Sequence, residues 1–396
     1  MMKISMFYPT YDTGISVYSN RLKRELTSQG INIVEIPLRK SPAVAINPLN
    51  YIKQKSMYTK MGRKMNKAEI AHIQFEYSFF GGVNPVMNMY KIFSSQIKIP
   101  KVLTVHEITN VSVDMQEGSK IKKILKNLAY GEVDHYIQYI NKGIFQDADA
   151  VIVHTNSTKE ILVQRGITQN KIFHIEHGIP HINLSKKSQI ESKRSLGLQN
   201  KIVITTFGSI SDRKGQDQVI DILDKLPENV TYLIAGTLPE GKQYIQYMDR
   251  INKVIKEKHL ENKVKLTGYV KDDDIPEIMN ATDIIVYPAR EIIASGSVTE
   301  TIAYEKMIIA SDLDFINEIN LKYRCIKTYK KNDINNLKNV IEDIIKHPSY
   351  KKEYIENTKR YKKDYSFQNI ALKTKVLYNQ ILTKYNGPKE KENTIL

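Results

Sequence analysis

The sequence predicts an α/β protein built from two doubly wound domains, each with a parallel sheet covered by helices on both faces. Three observations support this prediction. Short apolar runs rich in β-branched residues alternate with helical patterns along the chain. These runs are continuously apolar, which is typical of strands buried on both faces. The length of 396 residues exceeds what a single hydrophobic core usually holds, so two domains are expected.

The strand-like segments fall into two groups. The first half contains KISMFYP, INIVEIPL, AHIQFE, KVLTVHE, AVIVHTN and KIFHIEHG, and the second contains KIVITTFGS, TYLIAGT, KVKLTGYV, DIIVYPA and KMIIASD. Residues 182–200 are polar and rich in Ser and Lys, and they are the best candidate for a linker. We therefore predict domains at 1–185 and 200–355. In such sheets ligands bind at the carboxyl ends of the strands, so two facing domains predict a cleft between them.

The helical segments can be recognised from their spacing. Between the first two strands, VYSNRLKRELTSQG places Tyr18, Leu22 and Leu26 on one face. Residues 119–130, SKIKKILKNLAY, form a basic amphipathic pattern. That pattern fits a helix lying on an anionic membrane, and it fits equally a core-facing helix with a basic outer side.

Composition excludes several classes of protein. The chain is 41% hydrophobic and 26% charged, as in soluble globular proteins, and no run of eighteen apolar residues indicates a membrane span. The N-terminal MMKISMFYP has no signal-peptide pattern. A lone Cys325 excludes a disulfide framework and a multi-cysteine metal site, which favours the reducing cytoplasm.

Charge is unevenly distributed. The net charge is +16, and residues 1–190 hold 25 Lys and Arg against 14 Asp and Glu. A basic first half indicates an anionic partner: nucleic acid, an anionic membrane leaflet, or a polyanionic or diphosphate-bearing substrate. An ordinary solvated surface is the alternative. Nucleic acid is disfavoured because the basic runs lack interleaved aromatic residues and any known module signature.

The segment SGSVTETIAY is the first candidate site. Ser295, Gly296 and Ser297 follow the strand DIIVYPA, and a helix is expected to begin near Ser297. Small residues before a helix expose backbone N–H groups to an anion such as phosphate. Glu300 in the first turn suits a ribose diol, whose hydroxyls donate to a carboxylate. The alternative is purely structural, because Ser297 and Glu300 also have the spacing of a capping box.

Two further glycines follow strands. VITTFGSISDRKG places Gly208 after a strand, with Arg213 and Lys214 in the next loop, where the pair could neutralise a diphosphate. Gly14 lies in the first strand-to-helix turn, where a phosphate or sugar could approach the backbone. There is no G-x-G-x-x-G motif, so nicotinamide and flavin binding have little support.

Four histidines follow or end predicted strands. His106 could contact a sugar hydroxyl or carry a proton, or could simply bond to a neighbouring carbonyl group. His72 and His154 are interpreted as structural, and His177 as a possible cleft residue. None has metal-ligand spacing. The run 271–274, a lysine followed by three aspartates, is interpreted as the start of a helix capped by Asp274, and no metal is assigned.

Taken together, these segments resemble a glycosyltransferase of the GT-B fold, most similar to the retaining family 4. The segments that carry the resemblance, in order, are TGISVYSNRLKREL, VLTVHE, ADAVIVHTN with IEHGIP, FGSISDRKG, LIAGT, VKLTGYV, ATDIIVYPAR, SGSVTETIAYEKMIIASD and YSFQNIALKTKVLY. The resemblance implies two Rossmann-like domains with the active-site cleft between them. It also implies a C-terminal helix, within 356–385, that crosses back to the first domain.

The resemblance further implies roles for individual residues. Catalytic contacts would come from His106 and Glu291, and donor contacts from Gly14, Arg213, Lys214, Tyr269, Val270, Ser295, Gly296, Ser297 and Glu300. The substrates would be a nucleotide-diphosphate sugar, with uridine favoured over guanosine, and a glycan or lipid-linked acceptor. No cofactor is implied, and the enzyme would be cytoplasmic, at the inner face of the membrane.

The sequence departs from the family pattern in places. The first Glu of the paired-Glu motif would fall on position 292, which is Ile, with Glu291 one residue earlier. Thr13 stands where the family has the first Gly of a pair. Either Glu291 serves instead, or donor recognition differs. A non-catalytic GT-B-like subunit that binds a partner transferase or a glycan is therefore the alternative function.

Overall fold

The computed structural model describes residues 1–40, 42, 48–82, 88–108, 142–291 and 296–386. These residues form two compact units. The first consists of Met1–Glu176 together with Phe367–Leu396, and the second of His177–Ser366. Each unit holds one six-stranded sheet in which every pair of neighbouring strands is parallel. The predicted α/β class with two doubly wound domains is therefore confirmed.

The first unit has strand order β2-β1-β3-β4-β5-β6. Its strands are β1 (Lys3–Pro9), β2 (Asn32–Leu38), β3 (Ile70–Phe75), β4 (Lys101–Val105), β5 (Ala150–Val153) and β6 (Ile172–His174). The accompanying helices are α1 (Gly14–Ser28), α2 (Pro48–Met65), α3 (Tyr90–Ser94), α4 (Asn156–Gln164) and, from the C-terminal part, α13 (Phe367–Asn386). Strands β3 and β5 are buried along their whole length, although β3 includes the polar residues His72 and Gln74.

The second unit has strand order β12-β11-β10-β7-β8-β9. Its strands are β7 (Ile202–Phe207), β8 (Val230–Ala235), β9 (Val264–Gly268), β10 (Ile284–Tyr287), β11 (Met307–Ser311) and β12 (Lys327–Tyr329). Its helices are α5 (Gln189–Ser195), α6 (Gln216–Leu223), α7 (Lys242–Glu257), α8 (Ile275–Ala281), α9 (Gly296–Ile302), α10 (Asp314–Tyr323), α11 (Ile334–Lys346) and α12 (Tyr350–Asp364). The strand order reverses between β7 and β10, which makes this pair the switch point where ligands bind in such sheets.

The segment that the sequence marked as a linker is structured instead. Helix α5 lies within 182–200 and belongs to the second unit. A capping box starts this helix: the Ser188 hydroxyl accepts from the Glu191 backbone N–H, and the Glu191 carboxylate accepts from the Ser188 backbone N–H. Asn280 of α8 donates to the Lys187 carbonyl oxygen, at 2.8 Å. Local capping and packing thus order a polar segment whose composition suggested a linker.

The structure also tests the predictions for Asp274, His72 and His154, each through its immediate contacts. Asp274 occupies the N-cap position of α8, as predicted, but its side chain makes no capping hydrogen bond. His72 is buried between the Tyr378 hydroxyl (2.6 Å) and the Thr104 hydroxyl (2.7 Å), and burial lowers its pKa to about 3. His154 bonds through Nδ1 to the Ile175 carbonyl oxygen, and burial lowers its pKa to about 4. Both histidines therefore stay neutral at physiological pH, as expected of structural residues.

Candidate functional site

Two glycines bring the loop after β7 close to its surroundings. Gly208 follows β7 with φ +118°, a backbone conformation that favours glycine. A Cβ atom there would lie 3.3 Å from both Cβ and Oγ of Ser297. A Cβ atom on Gly236, which follows β8, would lie only 1.8 Å from the Gly208 carbonyl oxygen. The loop after β7 therefore packs against the start of α9 with no room for larger side chains.

The side chain of Lys214 also points toward the start of α9. It ends the short 3₁₀ helix Asp212–Lys214, and its Nζ donates to the Ser297 hydroxyl at 3.2 Å. Only 8% of the residue is exposed. Burial first, and then the neighbouring Arg213 charge, lower the pKa of Lys214 to about 8. Keeping a buried ammonium group charged costs free energy, which is why the pKa of Lys214 is low. An anion bound beside it would offset that cost.

The start of α9 contains most of the first candidate site. Helix α9 begins at Gly296, so Ser297 lies inside its first turn and not at the cap position. The buried Tyr287 hydroxyl donates to the Ser297 carbonyl oxygen at 2.7 Å. Glu300 is half-buried one turn further along, and its charge adds to burial in raising the pKa of Tyr287. Ser295 lies outside the described residues.

His177 lies beside the same helix. Its Nδ1 is 3.1 Å from the Thr299 hydroxyl and 3.1 Å from the Gly178 carbonyl oxygen. Its Nε2 would be 3.9 Å from a Cβ atom on Gly296. The sequence analysis interpreted His177 as a possible cleft residue and did not single out Thr299. The signal for Thr299 would have been its position two residues after Ser297, on a short buried helix.

Arg290 holds the loops of the site together, and the sequence analysis missed it. Its guanidinium donates to both carboxylate oxygens of Asp217, at 2.9 and 2.7 Å, and to the Asp212 carbonyl oxygen at 2.6 Å. Its backbone N–H donates to the Arg213 carbonyl oxygen at 2.9 Å. Burial raises the pKa of Asp217, but the hydrogen bonds from Arg290 and Tyr247 lower it by more than burial raises it. The net shift of this pKa is therefore downward. A charged residue three positions after the buried strand β10 was the available signal.

Arg213 and Glu291 are neighbours at the surface. Both are exposed, and Nη1 of Arg213 lies 3.5 Å from the Glu291 carbonyl oxygen, the outer limit of a hydrogen bond. The contact uses the backbone of Glu291, so it leaves the role of the carboxylate a prediction. Ile292 lies outside the described residues, as does the basic segment 119–130.

Tyr269 and Val270 follow β9, at the edge of the second sheet. Tyr269 is 64% exposed, whereas Val270 is half-buried and packs against two of the hydrophobic clusters of this unit. Strand β9 is two positions from β7 in the sheet order. The two residues thus lie at the same carboxyl edge as Lys214, with β8 between them.

The remaining candidates lie at the carboxyl edge of the first sheet. Gly14 begins α1, and the hydroxyl of Thr13 caps that helix by accepting from the Ser16 backbone N–H at 3.1 Å. A Cβ atom on Gly14 would meet nothing within 4 Å. His106 follows β4, and its Nε2 is 2.8 Å from Oε1 of Gln74 in β3. Its ring packs edge-on against Tyr18, with centroids 5.0 Å apart.

The sequence analysis also missed Glu76, which follows β3. Burial raises the pKa of its carboxyl group, the Ser78 hydroxyl bonded at 2.6 Å lowers it, and the charge of Glu107 raises it. The net shift is upward. Two acids at the ends of neighbouring strands give this edge a local negative charge within a basic unit.

The residues of the second unit that build this site are similar to a known protein family. A family model described as "Glycosyl transferases group 1" matches residues 188–361. The matched residues make up less than half of the chain. They include Lys214, Ser297, Glu300 and Arg290, the residues that build the site at the switch point of the second sheet.

Similar proteins of known structure have the same fold. The structure of Anabaena HepE in complex with UDP and glucose covers 96% of this chain and 100% of that one, with a TM-score of 0.71 and 18% identity. The chain therefore has the GT-B fold. The likeness spans both units.

Curated relatives match over shorter stretches. Mannosylfructose-phosphate synthase of Agrobacterium fabrum is 27% identical over 173 residues, which is 39% of this chain and 38% of that protein. Alpha-galactosylglucosyldiacylglycerol synthase of Streptococcus pneumoniae is 24% identical over 53% of this chain and 55% of that protein. The matches thus span about two fifths to somewhat over half of these relatives.

Within the described residues, no helix is both long enough and apolar enough to cross a membrane. The same residues contain no group of three His, Cys, Asp or Glu side chains that could hold a metal ion. That the reaction needs no metal stays a prediction.

Proposed function

We propose that the chain is a retaining glycosyltransferase that moves a hexosyl or N-acetylhexosaminyl group from a nucleotide-diphosphate sugar to an acceptor. The observation that carries the proposal is the buried Lys214, whose ammonium group meets the Ser297 hydroxyl at the switch point of the second sheet. A diphosphate bound there would place negative charge beside this buried ammonium group. The glycosyl transferases group 1 domain supports the reaction class.

Each donor group has a chemically suited residue. Lys214 and Arg213 bind the diphosphate, and the backbone N–H groups of Ser295, Gly296 and Ser297 add to that contact. Glu300 accepts from the ribose hydroxyls. Tyr269 and Val270 flank the base, while His106, Glu291 and Gly14 contact the donor sugar or its phosphate. The expectation that these groups meet in a cleft between the domains stays a prediction.

The reaction takes place on one face of the donor sugar. The bond from the anomeric carbon to the diphosphate breaks as the acceptor oxygen forms its bond, and the leaving diphosphate takes the acceptor proton. Lys214 and Arg213 stabilise the charge that develops on the leaving group. No protein nucleophile is required, so retention follows from the side of attack.

The donor is proposed to be a UDP-sugar, and the acceptor a glycan or lipid-linked molecule in cell-surface polysaccharide or glycoconjugate synthesis. HepE is a GT-B structure solved with UDP and glucose, and the pneumococcal relative is named as a diacylglycerol glycoside synthase. These relatives support a uridine donor and a lipid-linked acceptor. The proposed location is the cytoplasm, at the inner face of the membrane.

A thermal-shift panel with UDP, GDP, ADP and CMP tests the donor site. A ligand at about one hundred times its dissociation constant adds roughly 2.7 kcal/mol to stability. We expect a shift with UDP that is lost in Glu300→Ala. The matched control is Glu261→Ala, which removes an exposed acid elsewhere in the same unit and should keep the full shift.

The other outcomes are also decisive. A shift with another nucleotide, lost in Glu300→Ala, would keep the site and correct the base. If no nucleotide shifted the wild-type protein, the donor site would be refuted. The chain would then be the alternative, a non-catalytic GT-B-like subunit that binds a partner transferase or a glycan.

A further inference from the structure

The outward face of α2 (Pro48–Met65) combines positive charge with exposed aliphatic side chains. Leu49 is 66% exposed and Ile52 is 61% exposed, both in the first two turns. The helix carries five basic residues and no acidic one, namely Lys53, Lys55, Lys60, Arg63 and Lys64. All five are exposed.

The inward face of α2 is fixed by packing, which determines what the outward face presents. Tyr58 is buried and donates to the Phe79 carbonyl oxygen. Met65, two helical turns further along, is also buried. A Cβ atom on Gly62 would lie 2.3 Å from the Phe93 carbonyl oxygen, so α3 packs directly against this side. At 100° per residue, Leu49 lies on the opposite side from Tyr58.

By the same spacing, the outward side also holds Lys53, Lys60 and Lys64, and Ile52 borders it. The charge of this surface is not balanced by nearby acids in the sequence. Residues 39–68 contain eight Lys and Arg and no Asp or Glu. The next acid, Glu69, accepts from the Lys3 backbone N–H at 2.8 Å. Among the described residues, no salt bridge joins the five basic side chains of α2 to a carboxylate.

Helix α7 of the second unit shows what an ordinary exposed helix of this protein looks like. It also has an exposed aliphatic residue, Ile245 at 54%, and several basic residues. Its sequence, however, includes Asp249 and Glu257, and Lys253 lies 3.7 Å from the Glu257 carboxylate. Helix α2 differs in having cations alone.

We propose that the outward face of α2 binds an anionic lipid bilayer. The lysines would lie among the lipid phosphates, while Leu49 and Ile52 enter the boundary between headgroups and acyl chains. The occupant is a membrane because a soluble polyanion would pair with the lysines but would gain nothing from two exposed aliphatic side chains. The inference rests on the proposed location at the membrane and not on the diphosphate and ribose contacts of Lys214 and Glu300, which lie in the other unit.

Co-sedimentation with vesicles tests this proposal on the full chain. The vesicles contain phosphatidylcholine alone, or phosphatidylcholine with phosphatidylglycerol. We expect binding only to the second kind, weakening as salt is raised because surface charges are screened. Neutralising Lys53 and Lys60 to Gln should weaken binding about 25-fold, since each basic residue near an anionic leaflet contributes a factor of about five.

Two further variants separate the apolar contribution from general surface effects. Leu49→Gln with Ile52→Gln should weaken binding by roughly tenfold or more, because both side chains lose their transfer into lipid. Ile245→Gln with Lys253→Gln makes the matched change on α7 and should leave vesicle binding unchanged. UDP thermal shifts measured on every variant should be equal, which separates this proposal from the donor site.

Three results would overturn the proposal. One is a wild-type protein that does not sediment with anionic vesicles at low salt. Another is an α2 variant that binds as tightly as the α7 control. The third is vesicle binding that heparin displaces fully while the Leu49 and Ile52 variant keeps wild-type affinity, which would assign α2 to a soluble polyanion.

Discussion

Lys214 connects function to stability in a way that can be measured. Its pKa falls from 10.5 to about 8 in the folded protein, chiefly because the side chain is buried. Each pKa unit corresponds to about 1.4 kcal/mol, so keeping this lysine charged costs the fold about 3 kcal/mol at neutral pH. Lys214→Met keeps the apolar stem and removes the charge. It also loses the hydrogen bond to Ser297, worth about 1 kcal/mol.

We therefore expect Lys214→Met to be about 2 kcal/mol more stable than the wild type near pH 7, although it removes a proposed diphosphate ligand. The folded-state pKa lies below the unfolded one, so between about pH 8 and pH 10.5 the unfolded chain binds more protons. Wild-type stability then rises with pH relative to the variant, and the advantage of Lys214→Met shrinks across this window. Urea unfolding of both proteins at several pH values measures the difference.

Lys263 provides the matched control. It is also 8% exposed, but its Nζ lies 3.3 Å from the Glu228 carboxylate. Lys263→Met should not gain stability, because the Lys263 ammonium group is already paired with Glu228 and lies 3.5 Å from the carbonyl oxygens of Leu223 and Leu226, and the variant loses these contacts. The argument for Lys214 fails if Lys214→Met is less stable than the wild type at neutral pH, or if the difference between them does not change with pH.

The remaining predictions concern the geometry around the site. Gly236→Ala should destabilise the second unit by about 2 kcal/mol or more in thermal unfolding, because the added Cβ would clash with a backbone oxygen. Gly14→Ala is the control and should be tolerated, because the added Cβ has open space around it. Equal effects of the two variants would refute this explanation. Arg290→Ala should cost about 3 kcal/mol and weaken UDP binding, since Asp217 keeps its charge but loses both hydrogen bonds from the Arg290 guanidinium; a fully stable variant would show that the contact does not hold the loops. Thr13→Ala should cost about 1 kcal/mol by removing the cap of α1, and a neutral effect in urea unfolding would exclude that role.

Local patterns in the sequence were sufficient for the fold class. The mostly apolar runs KISMFYP and TYLIAGT became β1 and β8, because strands buried on both faces are rich in apolar residues on both sides. Gly208 and Lys214 could be picked out because a small residue and a cation follow a predicted strand within seven residues. The capping box at Ser188 and Glu191 is equally visible in the sequence, but the polar composition of residues 182–200 predicts a linker where the structure has a helix.

The contacts that make the site were decided only by the tertiary structure. Lys214 and Ser297 are 83 residues apart, and Arg290 and Asp217 are 73 apart, yet each pair shares hydrogen bonds. They meet because β7 and β10 are neighbours in the sheet order. Strand periodicity reports whether a segment is buried, but it is the same whichever strand lies next to it. The chemistry of the residues is therefore written in the sequence, while their pairing depends on the order in which the strands pack.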